Sequence, residues 1–159
     1  MRETYKENEK GFSLVELIIV VAIMAILIGT LAPQYIKYVE KSKTSADKEL
    51  LDDVFRACST ASAEDDIIDL PRYGDTNIRV DTTGAHPKWS KRVLELLGAS
   101  DFQTDIEGKL KSKVATKAAL GNRHIVIEVD EGNRFTVYVG AKTNAGQNAT
   151  GIVVGVGAD

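Results

Sequence analysis

The chain has 159 residues, which suits one domain with a modest core. Its 20 basic and 23 acidic side chains leave a formal net charge of −3, so no global basic excess points to a nucleic-acid site. The single cysteine, Cys58, excludes an intramolecular disulfide and a multi-thiolate zinc site.

Residues 1–10 are polar and carry three basic and three acidic side chains. No charged side chain follows from Leu17 to Ile36, a run of 20 residues. As a helix rising about 1.5 Å per residue this run reaches ~30 Å, the thickness of a bilayer's hydrocarbon core. A membrane-spanning helix is therefore expected. Ser13-Leu14-Val15-Glu16 fits a capping box at its start. An acid abutting a membrane span is equally a candidate functional group. Pro33 lies four residues after Gly29 and has no N–H for that carbonyl, so Gly29 and Pro33 mark a weak point in the helix. A secretory signal cleaved after Ala32 is a competing reading, but Pro33 follows directly and the apolar run is long for one. Basic residues nearly tie on the two flanks, so charge alone does not orient the span.

Helical spacing continues through Ala46, Leu50, Val54, Ala57 and Ala61, an apolar face flanked by Leu51 and Cys58. Lys43, Asp47, Lys48, Asp52 and Arg56 are assigned to the solvent side. One helix is expected from near Ser13 to about Ala63, on the order of 75 Å long. Glu64-Asp65-Asp66 ends it, and Leu70-Pro71 with Tyr73-Gly74 marks a loop. Ile78 and Val80 suggest a short strand. Pro87 suits the first turn of a second helix that turns Trp89, Val93, Leu96 and Leu97 inward and ends at Gly98. Residues 99–123 show no clear pattern.

Ile125, Ile127 and Val129 alternate with polar or outward positions, as do Phe135, Val137 and Val139. Asp130-Glu131-Gly132-Asn133 between them is a turn, which makes an antiparallel hairpin. A Gly/Asn-rich loop from Thr143 to Gly151 leads to a third strand at Ile152–Val156. The fold class is α+β: one long helix, membrane-spanning in its first half and amphipathic in its second, packed on a small antiparallel sheet.

Lys10-Gly11-Phe12-Ser13-Leu14-Val15-Glu16-Leu17 ahead of an apolar run resembles the processing motif of type IV prepilins. The resemblance covers about the first 45 residues. It implies cleavage between Gly11 and Phe12 by a prepilin peptidase, N-methylation of Phe12, an assembly role for Phe12 and Glu16, and a helix-bending role for Pro33. The short leader and first Phe resemble the a subclass, and the lack of a closing disulfide resembles the Gram-positive members. The implied division is a leader at 1–11, a membrane or filament-core helix at 12–36, its amphipathic half at 37–63, and a head at 64–159. The implied partners are like subunits, the peptidase, a membrane assembly machinery, and lipid before assembly. The implied locations are the cytoplasmic membrane and then a surface pilus of the kind used for adhesion or motility.

Competing functions are a type II secretion pseudopilin and a single-span surface binding domain using loops 64–76 and 143–151. No enzyme is expected, because no nucleophile–base pair, metal cluster or phosphate loop is visible. No cofactor and no metal is expected. Cys58 reads as a small core residue, and His86 and His124 as surface or turn residues. Asp130-Glu131 reads as a turn, not a calcium loop. Asn148-Ala149-Thr150 reads as a chance glycosylation match, and Tyr35, Tyr38 and Phe55 as helix packing residues.

Overall fold

The computed structural model describes residues 11–75, 78–116, 124–140 and 150–155. Leader residues 1–10, most of the loop at 143–151 including Asn148 and Ala149, and Val156 lie outside the described residues. The elements in order are α1 (Leu14–Ser62), α2 (Pro87–Leu97), α3 (Phe102–Asp105), a 3-10 turn (Glu107–Lys109), α4 (Lys113–Thr116), β1 (Ile125–Val129), β2 (Phe135–Val139) and β3 (Val153–Gly155). The α+β expectation and the long first helix are both observed. The chain divides into two compact units, one ending at Val39 and the other beginning at Glu40.

In the first unit every residue from Gly11 to Tyr38 is exposed, and Pro33 lies inside α1. A helix without polar partners on any side and without a core to cover it needs an apolar surrounding.

The second unit has an ordinary core. From α1 it buries Asp47, Leu51, Val54, Ala57, Cys58 and Ala61. This corrects the expected stripe: Ala46 is exposed and Leu50 only half-buried, while Leu51, Cys58 and Asp47 turn inward. The observed face runs 47, 51, 54, 58 and 61, a spacing as helical as the expected one. Asp47, assigned to the solvent side, is instead buried, and each of its carboxylate oxygens accepts a backbone N–H.

Pro87 begins α2 and Gly98, with φ 62°, ends it. The Ala99 N–H then bonds back to the Leu94 carbonyl at 3.0 Å, as expected for a glycine-terminated helix. Trp89, Ser90, Val93 and Leu94 are buried, whereas Leu96 is exposed. The buried face is centred between Trp89 and Leu94, which leaves Leu96 at its margin. The Asp69 carboxylate accepts the N–H groups of Lys88 and Trp89 at 2.7 and 3.1 Å, capping the helix from a distant loop. Trp89 stacks on Phe135 with ring centroids 5.9 Å apart and donates Nε1–H to Ser62 Oγ at 2.9 Å. One side chain thus ties α1, α2 and the sheet together.

The sheet is antiparallel in the order β1-β2-β3. Ile125 opposes Val139 and Val129 opposes Phe135, the register of the expected hairpin. The Asp130 carboxylate accepts the N–H groups of Gly132 and Arg134 and thereby fixes the turn. Among the described residues, the expected strand at Ile78 and Val80 is a single bridge between Ile78 and Ile127. Beside it, Glu107 accepts the Ile125 N–H at 2.8 Å, so a side chain occupies the edge that a longer strand would need.

Candidate processing and assembly site

Gly11, Phe12 and Ser13 precede α1 in exposed, non-helical backbone. Phe12 is 92 % exposed. A peptidase requires accessible chain outside regular helix, and Gly11, Phe12 and Ser13 are both exposed and non-helical. Glu16 stands in the first turn of α1 and reaches back to accept the Ser13 N–H at 2.9 Å. The Ser13 hydroxyl accepts the Val15 N–H at 3.4 Å, and the Ser13 carbonyl accepts the Leu17 N–H at 3.2 Å. One half of the capping box is therefore formed as expected, while the serine bond goes to Val15 rather than Glu16. The positive end of the helix dipole further suits an acid there.

Glu16 and Ser13 are brought together, but among the described residues no hydrogen bond joins Glu16 to Phe12. In the uncleaved chain the Phe12 nitrogen is an amide, and only cleavage turns it into an amine. Gly29 and Pro33 share one turn of α1. A Cβ added at Gly29 would meet nothing within 4 Å, so no contact within the chain demands glycine there. Thr30 Oγ1 donates to the Leu27 carbonyl at 3.0 Å in the same turn, a side-chain bond that tends to bend helices. The apolar part of α1 is long and apolar enough to cross a membrane, and none of that part is buried in the structure.

The two histidines are half-buried or partnered, rather than free surface groups. His86 Nδ1 lies 2.8 Å from the Asp69 carbonyl, and Nε2 lies 3.4 Å from Asp75 Oδ2. His124 Nδ1 lies 3.2 Å from Glu107 Oε2. Sequence reading missed four carboxylates that hold the second unit together: Glu40, Asp47, Asp69 and Glu107. Each caps backbone far away in sequence, and no local pattern carries that signal. Cys58 is buried, and burial pushes its thiol well above the usual range, which fits a packing role.

Residues 6–32 match the family model described as the prokaryotic N-terminal methylation motif, the leader signature of type IV prepilins. The match includes Gly11, Phe12, Glu16 and Gly29 and stops one residue before Pro33. No curated protein and no solved structure matches the chain. The motif indicates a precursor of the type IV pilin-like or pseudopilin kind, a structural rather than a catalytic class. It implies processing by a prepilin peptidase, and together with the apolar helix it fits membrane anchoring.

Proposed function

We propose that this chain is the subunit precursor of a type IV pilus, stored in the cytoplasmic membrane by α1 and assembled outside the cell into a helical filament. The observation that carries this reading is the methylation motif at residues 6–32, joined directly to a helix whose apolar surface is wholly uncovered. A soluble protein does not leave such a surface open, and a lone membrane anchor does not need the Gly11-Phe12-Glu16 pattern. In this reading cleavage after Gly11 frees the Phe12 amine, methylation keeps its charge, and the exposed helix exchanges lipid for neighbouring helices. Phe12 and Glu16 then act in assembly. Gly29 and Pro33 let the helix adjust as it leaves lipid.

Mass analysis of fibres sheared from cells tests this. The expected subunit begins at N-methylated Phe12. A chain beginning at Met1 or Pro33 would overturn the assignment. A processed chain confined to the membrane, with no surface fibre, would move it to the pseudopilin class.

A further inference from the structure

We propose that Lys43, Lys109, Lys111 and Lys113 form a basic face that rests on anionic lipid headgroups while the subunit is stored in the membrane. The inference depends on the membrane reading above.

The segment from Lys109 to Lys113 alternates strictly: the three lysines are exposed, while Leu110 and Ser112 are buried. Its backbone is pinned to α1. Asp47 accepts the N–H groups of Lys111 and Ser112, each at 2.9 Å, and Glu40 accepts that of Lys113. Lys43 lies three residues after Glu40 and four before Asp47, hence on the same face of the helix. Among the described residues, none of these four ammonium groups forms an ion pair.

Three of the acids around this segment, Glu40, Asp47 and Asp105, are engaged with backbone. Asp47 is 1 % exposed and directs both oxygens onto amides. Asp105, close enough to feel the charge of Lys109, accepts the N–H groups of Ser100 and Asp101. These carboxylates are therefore turned onto backbone amides, while Lys109, Lys111 and Lys113 are exposed and Lys43 is half-buried. Glu40, which holds the Lys113 end of this segment, comes four positions after Ile36, the end of the uncharged run, and Asp47, which holds Lys111 and Ser112, comes two helical turns later. Residues just past a span lie at headgroup level. Lysine stems are long enough to keep their charge among phosphates. Anionic headgroups are thus the partner that fits this charge and this place in the sequence.

The test uses the full chain in vesicles of phosphatidylcholine alone, or with one-third phosphatidylglycerol. Flotation in alkaline carbonate reports insertion. Amine labelling resolved by mass spectrometry reports each lysine. In anionic vesicles Lys43, Lys109, Lys111 and Lys113 should label about fivefold more slowly, and high salt should erase the difference. Exposed Lys88 and Lys91 on α2 should not change. The K111Q/K113Q variant should float normally and lose protection at Lys43 and Lys109. Equal labelling in both lipids with normal flotation would overturn the headgroup contact and leave the span standing. Protection in both lipids that disappears at one chain per vesicle would assign the face to a second copy instead. Failure to float in either lipid would remove the membrane reading and this proposal with it.

Discussion

The Asp47 carboxylate, on α1, accepts the backbone N–H of Ser112, 65 residues further along the chain, at 2.9 Å. Its other oxygen accepts the Lys111 N–H at the same distance. A buried charge is normally costly, but two charge-assisted bonds to amides compensate it and leave no orphan donor. The pair secures the turns around α4 to the helix.

Asp47→Ala leaves both amides without a partner and should lower stability by about 2–4 kcal/mol. Asp47→Asn keeps one acceptor oxygen and should fall between the two. Urea melts of a chain beginning at Tyr38, which lacks the segment that needs lipid, would measure this. A loss under about 0.5 kcal/mol for the alanine variant would show that the clamp does not hold the fold.

Gly155 carries φ 111°, and an added Cβ would lie 2.5 Å from the Phe135 carbonyl oxygen. Gly155→Ala therefore meets backbone strain and a clash with the paired strand. It should cost about 2–3 kcal/mol and depress Tm by roughly 10 °C or more. An unchanged melting curve would mean that β3 is not paired with β2 in solution.

Alkali should act through Cys58. Burial raises its thiol in the folded state, whereas an unfolded thiol ionises near pH 8.5. Below that pH the thiol is protonated in both states and stability is undiminished. As pH rises above it, the unfolded chain loses a proton that the folded chain keeps. Stability should then fall by up to about 1.4 kcal/mol per pH unit. Cys58→Ala should flatten this slope between about pH 9 and pH 10, at a small cost at neutral pH. Thiol labelling by a water-soluble disulfide reagent should proceed only at the rate of unfolding. Fast labelling of folded protein would contradict the burial.

Glu16 caps Ser13 in the uncleaved chain, and in the proposed fibre it faces the Phe12 amine of a neighbour. An α-amine is mainly protonated at neutral pH. Away from water, an unpaired carboxylate and an unpaired ammonium would each carry a large desolvation cost, which pairing offsets. Glu16→Gln keeps size and some capping ability but no charge. It should insert, lose its leader and fail to form fibres. Normal assembly by this variant would leave Glu16 as a cap alone.

Pro33→Ala restores the N–H that the Gly29 carbonyl lacks and should stiffen α1. Membrane insertion should be unaffected and fibre yield reduced, measured as sheared subunit per cell. A filament map showing regular helix from Gly29 to Pro33 in the unmutated protein would refute the hinge.

The N-terminal helix and its leader junction were legible in the sequence because their signals are local. An uncharged run of 20 residues, the Gly11-Phe12 junction and Glu16 lie within a few turns of one another. Their meaning depends on the solvent around one helix, not on distant chain. The hairpin was legible for the same reason, since strand alternation and the Asp130–Asn133 turn are neighbours in sequence.

Tertiary structure decided which face of α1 turns inward after Glu40. Two overlapping stripes satisfied the helical period, one through Leu50 and one through Leu51. The second won because the amides of Lys111 and Ser112 supply partners that make a buried Asp47 tolerable. It likewise decided that, among the described residues, Ile78 forms one bridge and not a strand, that Asp69 caps α2, and that Glu107 closes the edge of β1. Each outcome depends on a carboxylate meeting backbone donors that only the folded chain brings within reach. No periodicity in the surrounding residues encodes that meeting.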